Sequence, residues 1–233
     1  MKRPRKPKKK TLSWWQLVIF AVVVFLATLF IMNFVVSKNY VTGPSMEPGL
    51  HTGDHMLALR HKKVKRNDIV VLYAPDEASS EYVSSHHVKA ENLSYVGNGK
   101  LYNGSSLVPL TDRELYIKRV IGLPGDTIRS YHDKLYVNGK RVPQSYLTAS
   151  FSKTALREHN KKYDENEKYF TKDFSLKTLA ATRSVRVPAN TYFVLGDNRV
   201  VSHDSRSFGF LPAANIQSVV ILRYWPLGKI TTY

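Results

Sequence analysis

Lys134-Leu135-Tyr136-Val137-Asn138-Gly139-Lys140-Arg141-Val142 reads as two short strands joined by a two-residue turn. Asn-Gly accepts the positive φ angles of a type I′ turn, whose twist matches that of paired strands, so this stretch predicts a β-hairpin. On either side of it, runs rich in Val, Ile, Leu and Tyr recur at 55–59, 68–73, 115–121, 191–195 and 218–225, mostly bounded by Gly, Pro, Asn or Asp. That spacing predicts a mainly β domain. Asn98-Gly99 and Asn103-Gly104 add weaker turn signals. The stretch 152–182 departs from the pattern, being crowded with Lys, Glu, Asp and Asn, and reads as an insertion. Leu156, Tyr163, Phe170 and Phe174 are spaced for one helical face, so this insertion is either a small helical lobe or a mobile loop.

Ahead of the strands lies a 25-residue apolar run, Leu12 to Val36. As a helix at about 1.5 Å per residue it would be about 38 Å long, against the ~30 Å of a bilayer's hydrocarbon core. Trp14 and Trp15 stand where interfacial aromatics belong. Before it, Lys2, Arg3, Arg5, Lys6, Lys8, Lys9 and Lys10 appear with no acid among them, which holds the amino terminus in the cytoplasm and sends the chain beyond Val36 to the outer face. A cleaved secretory signal has an apolar stretch of about 7–15 residues ending at a small-x-small site. Ser37-Lys38-Asn39-Tyr40 supplies no such site, so the run is expected to remain as an anchor. The expected organisation is a cytoplasmic tail at 1–11, a single membrane span at 12–36 and an extracellular domain at 37–233.

The chain carries 35 basic and 18 acidic residues; the seven in the tail leave 28 against 18, still +10 for the remainder. Nucleic acid would suit such charge, but no recognition motif is present and the expected topology places the domain outside the cell. Anionic lipid or wall polymer is the expected neighbour. There is no cysteine, hence no disulfide framework, thiolate chemistry or cysteine-ligated metal. About 195 residues come after the apolar run, enough for one domain with an inserted lobe or two small ones.

Three segments concentrate chemistry. Gly43-Pro44-Ser45-Met46-Glu47-Pro48-Gly49-Leu50 places a serine in a tight loop just after the anchor. Tyr116-Ile117-Lys118-Arg119-Val120-Ile121-Gly122-Leu123-Pro124-Gly125-Asp126 places a lysine among apolar neighbours on a strand that ends in a rigid turn. A serine hydroxyl is a weak nucleophile until a base removes its proton, and lysine serves as that base only when its amine is neutral. With an ordinary pKa of about 10.4 the amine must be desolvated to do so near neutral pH. The third segment, Gly196-Asp197-Asn198-Arg199-Val200-Val201-Ser202-His203-Asp204-Ser205-Arg206-Ser207-Phe208-Gly209, alternates acids and arginines and offers a hydrogen-bonded shell around such a pair.

In order and content these segments resemble the type I signal peptidases, and Asn67-Asp68-Ile69-Val70-Val71 adds a fourth block, with Asn where that family usually has Gly. The resemblance runs from Val41 to Gly209. It implies a signal-peptidase-like β catalytic domain and a membrane-bound endopeptidase that removes signal peptides from exported preproteins after a small-x-small site such as Ala-x-Ala. It makes Ser45 the nucleophile, Lys118 the general base and Ser202 the serine that hydrogen-bonds the lysine. It makes Asp204 and Arg206 a supporting ion pair, Asp197, Asn198 and Arg199 the structural start of the last motif, and Met46 a cover over the lysine. Gly43, Pro44, Tyr116 and Ile117 are the expected substrate-contacting residues, beside shallow apolar pockets for small side chains. Some members carry a serine two residues before the nucleophile to help hold the oxyanion. Gly43 stands there instead, as in the Gram-positive branch, leaving the Ser45 N–H as the expected donor. No cofactor or metal is expected, and the chain is expected to act as a monomer on signal peptides at a lipid surface.

Other readings compete. His203 and Asp204 invite a Ser-His-Asp triad, but neighbouring side chains on an extended segment point in different directions. His51 and His55 lack the glutamate and helix of a zincin pair. His86 and His87 read as surface. A catalytically silent relative would not need both Ser45 and Lys118, and a self-cleaving Ser/Lys repressor would need a DNA-binding module where this chain has an anchor.

Overall fold

The computed structural model describes residues 13–233; the expected cytoplasmic tail at 1–11 lies outside the described residues. Helix α1 (Trp14–Phe30) begins where the Ser13 N–H donates to Gln16 Oε1, and a π-helical turn, Ile31–Val35, extends it. The 22 residues Trp14–Val35 have a mean hydropathy of 2.8 and none is buried against the rest of the protein. At about 1.5 Å per residue they reach ~33 Å, long enough to cross a bilayer.

Strand β1 (Val36–Tyr40) continues directly from this turn without a linker and leads through a loop to β2 (His55–Leu59) and β3 (Ile69–Ala78). Helix α2 (Ser80–Ser85) and a small meander of β4 (Leu93–Tyr95), β5 (Leu101–Asn103) and β6 (Ser106–Leu107) precede the long β7 (Arg113–Gly122). Next come β8 (Ile128–Tyr131), β9 (Lys134–Val137), β10 (Lys140–Arg141), helix α3 (Ala149–Tyr163) and β11 (Phe174–Ser175). The chain closes with β12 (Thr191–Leu195), the single turn α4 (Ser205–Phe208), β13 (Leu211–Pro212), β14 (Ile216–Trp225) and β15 (Thr231–Thr232). The protein is therefore mainly β, with one apolar helix at its amino-terminal side.

The main sheet runs β1-β2-β14-β3-β7-β12-β13, with β15 on β14; β10-β9-β8-β11 and β4-β5-β6 form two smaller sheets, all antiparallel. The predicted hairpin is present: Lys140 pairs with Val137, and Asn138 (φ 51°) and Gly139 (φ 76°) make the turn. At the centre of the main sheet, β3 is apolar on both faces. Ile69 and Val71 pack with Met46, Leu50, Met56 and Val220, whereas Val70 and Leu72 pack with Val120, Val194 and Phe208. A strand covered on both sides can be a continuous apolar run.

Two differences from the sequence reading have plain causes. Val36 opens β1 rather than closing the helix. Its strand buries Ser37, whose hydroxyl meets that of Ser218 at 2.8 Å, so a polar residue is satisfied inside the sheet. In the insertion, α3 runs from its Thr148 cap to Asp164 (φ 52°), so Leu156 and Tyr163 are helical while Phe170 and Phe174 are not. Phe174 instead joins β11 and packs with Ile128, Leu135 and Phe193. The left-handed residue stops the helix, and burial in the second sheet decides the rest.

Candidate active site

The Ser45 loop links β1 to β2 and is fastened at its base and flank. Val41 N–H donates to the Asp54 carbonyl and Gly53 N–H to the Val41 carbonyl, both at 2.9 Å. Arg223 on β14 donates to the Gly49 carbonyl at 2.8 Å and to the Asp54 carboxylate at 3.0 Å. Met46 and Leu50 fill the core beneath, leaving Ser45 half-buried at the rim. Gly43 sits at φ 84°, in the left-handed region that favours glycine, and has nothing within 4 Å of where a side chain would begin. No hydroxyl is supplied from that position.

Lys118 lies on β7 opposite Val70 on β3. It is 4% exposed, and its Nζ donates to Ser45 Oγ at 3.0 Å. Desolvation brings the amine down from its ordinary 10.5 to about 8; Asp204 and Asp197 oppose the fall and Arg206 assists it. The Tyr116 ring centroid is 5.0 Å from Nζ. These groups edge a cleft of about 550 Å³, lined among others by Val41, Thr42, Ser45, Met46, Leu115 and Ile117. Tyr116 also lines it, but Gly43 and Pro44 do not.

The segment after β12 supplies a frame of buried charge. Asp204 is fully buried; it accepts from Gly196 N–H at 3.0 Å and from Arg206 Nε and Nη2 at 2.9 and 2.8 Å. Burial alone would raise its carboxyl, but Arg206 and these donors hold it below the usual carboxylate range. Asn198 N–H donates to the Ser45 carbonyl at 3.0 Å, tying this segment to the serine loop. Arg199 donates to the Gly196 carbonyl, Thr171 and Tyr146. Gly196 is required here: a Cβ on it would lie 2.6 Å from the Ser45 carbonyl oxygen and collide with the Ser202 side chain.

Ser202 is a correction. Its Oγ is shielded from solvent but has no hydrogen-bond partner, and the expected bond to Lys118 is not formed. The hydroxyl is turned against Gly196, while the lysine amine is directed to Ser45. His203 and Asp204 do diverge: His203 Nε2 pairs with Asp76 at 2.7 Å, whereas Asp204 faces Arg206. His51 and His55 are not brought together, since His51 N–H caps onto Asp54 and His55 sits edge-on to Tyr224. The residue the sequence reading overlooked is Arg119. It grips Asp197 through two bonds of 2.8 and 2.7 Å, stacks 3.9 Å from the Tyr146 ring and donates to the Asn67 carbonyl. Its position beside Lys118 was the available signal. Asn67 itself has φ 70°, which accounts for an Asn in the place of a usual Gly, since both tolerate the left-handed region.

A family model described as signal peptidase, peptidase S26, matches residues 13–225. The chain belongs to that family. Signal peptidase IB of Staphylococcus aureus is 30% identical over 225 residues, covering 95% of this chain and 93% of that protein. Signal peptidase I of Bacillus caldolyticus is 34% identical over 214 residues, 90% of each. A crystal structure of a signal peptidase I from Enterococcus faecalis is 32% identical and covers 68% of this chain and 97% of its own, with a TM-score of 0.44. Family membership makes this protein a hydrolase of signal peptides, and the one apolar helix among the described residues long enough to cross a bilayer fits the family's membrane anchor.

Proposed function

We propose that this signal peptidase cuts exported preproteins after a small-x-small site such as Ala-x-Ala, with Ser45 as nucleophile and Lys118 as general base. The observation that carries the reading is the buried Lys118 amine, 3.0 Å from Ser45 Oγ with a pKa of about 8. At pH 7 about one such amine in ten is neutral, against roughly one in 3,000 for an amine left at 10.5, a gain of about 300-fold in competent base. Neutral Lys118 takes the Ser45 proton as Oγ attacks the scissile carbonyl. The protonated amine then returns the proton to the leaving amine, and a water deprotonated by Lys118 releases the acyl group. The Ser45 backbone N–H is the oxyanion donor from this loop.

The substrate lies extended in the cleft beside β7 and pairs through its backbone, and the shallow walls of Val41, Leu115 and Ile117 admit small side chains. Trp14–Val35 crosses the cell membrane with the basic tail inside, which puts the domain at the outer lipid surface, acting as a monomer. Cleavage of a preprotein whose signal ends in Ala-x-Ala, by the detergent-purified protein beside Ser45→Ala and Lys118→Ala, tests the reading. Only the unaltered protein should cut at that bond. A folded Lys118→Ala protein that still cut while His203→Ala did not would replace the lysine with the histidine.

A further inference from the structure

Strand β3 breaks register against β7: Tyr73 pairs with Leu115, the next pair is Ala78 with Arg113, and residues 74–77 stand against Glu114 alone. Such bulges re-aim side chains beside active sites. Here two successive carboxylates from the bulge reach in different directions. Asp76 Oδ2 meets His203 Nε2 at 2.7 Å, and Glu77 accepts from the Tyr116 hydroxyl. Tyr116 is two residues from Lys118 on the same strand, and its ring lies 5.0 Å from the lysine amine. His203 sits between Ser202 and Asp204 and stands edge-on to Tyr116 and Phe208, at 6.1 and 5.6 Å.

The turn at 200–203 is otherwise weakly held. Val201 N–H reaches the Asn198 carbonyl at 3.4 Å, and Arg206 reaches the Ser202 carbonyl at 3.4 Å. Both are long for hydrogen bonds. The 2.7 Å contact to Asp76 is the shortest tie on this turn, which brings Val201 and His203 to the wall of the cleft.

We propose that the Asp76–His203 contact is a clamp that positions the 200–203 turn over Lys118 and the bound peptide, making both residues positioning residues for the cleavage reaction. His203 is half-exposed, so the pair contributes little to stability. Misplacing a catalytic wall by about 1 Å, in contrast, costs as much as 100-fold in rate. The proposal rests on the Ser45/Lys118 reading.

The test is kcat and KM, measured separately on a signal-peptide substrate, for the intact protein, Ser45→Ala, His203→Ala, Asp76→Ala, the double variant His203→Ala/Asp76→Ala and His203→Gln. Each single clamp variant should lose about 10-fold in kcat with KM within about twofold. The double variant should lose no more than the worse single, and His203→Gln, which keeps a donor for Asp76, should recover most of the rate. Full kcat in folded His203→Ala, or losses that multiply in the double variant, overturns the clamp. If His203→Ala does not fold, Asp76→Ala decides: reduced kcat supports the clamp and unchanged kcat overturns it. Cleavage by Ser45→Ala would instead overturn the underlying reading, so the two failures are distinguishable.

Discussion

Replacing Lys118 with methionine should abolish cleavage and at the same time stabilise the fold. An amine brought from 10.5 to about 8 by burial costs the folded state about 3 kcal/mol at 1.36 kcal/mol per tenfold change in protonation. Methionine keeps the unbranched stem and fills the same space without the charge. It forfeits the bond to Ser45 Oγ, worth about 1 kcal/mol, leaving a net gain of about 2 kcal/mol. In a domain of this size that is ~4–8 °C in Tm. Because the unfolded chain binds the proton more tightly than the folded one, the lysine's cost is fully present below pH 8. It shrinks as pH rises from 8 to 10.5 and vanishes above. Thermal unfolding of both proteins in the same detergent at pH 7 and pH 10.5 therefore measures the effect. The variant's advantage should be largest at pH 7 and should shrink by most of the 3 kcal/mol at the higher pH. A variant no more stable than the parent at pH 7, or an advantage that does not change with pH, would refute the claim that burial lowers the Lys118 pKa.

The same pKa sets the rate profile. kcat/KM should climb about tenfold per pH unit below 8 and level off above it, and a flat profile between pH 6 and 9 would count against lysine as the base. Gly196→Ala should cost about 1–3 kcal/mol of stability and at least 100-fold in activity, because the added methyl would press on the Ser45 carbonyl and the Ser202 side chain at once. Near-normal peptide cleavage by that variant would show that the two loops can separate without harm.

The sheet was legible where local signals are strong. The Asn138-Gly139 hairpin and the runs at 55–59 and 191–195 are present as read, because turn chemistry and apolar runs are short-range properties. β1 was not legible: its Val-Ser-Lys-Asn-Tyr stretch lacks an apolar run, pairs along β2, and buries a Ser37 whose hydroxyl is satisfied only by Ser218 and Asn39, the former 181 residues away. The β4-β5-β6 meander announced only its turns, at Asn98-Gly99 and Asn103-Gly104. Leu156 and Phe174 share a helical spacing, yet a helix stop at Asp164 and burial beside Phe193 separate them.

The site divides the same way. Ser45 and Lys118 stand 73 residues apart, and motif resemblance paired them where spacing could not. The Asp197–Arg119 and Asp76–His203 contacts span 78 and 127 residues, and the motifs that hold Asp197, Arg119 and His203 did not say which charge meets which.

Lys118 and Arg119 show why burial alone does not set protonation. They are adjacent on β7 and 4% and 7% exposed. Burial pulls both amine and guanidinium toward the neutral form. At Arg119 the paired oxygens of Asp197 more than restore the charge, so its pKa rises above the ordinary value. Lys118 makes no ion pair among the described contacts; its bond goes to a neutral hydroxyl. The carboxylates that would protonate it are already engaged, Asp197 by Arg119 and Asp204 by Arg206. Each pair is close to neutral from a distance, so little field reaches the amine and desolvation dominates. The buried arginines thus withhold the acids from the lysine, and breaking either pair frees a carboxylate to raise the base out of its working range.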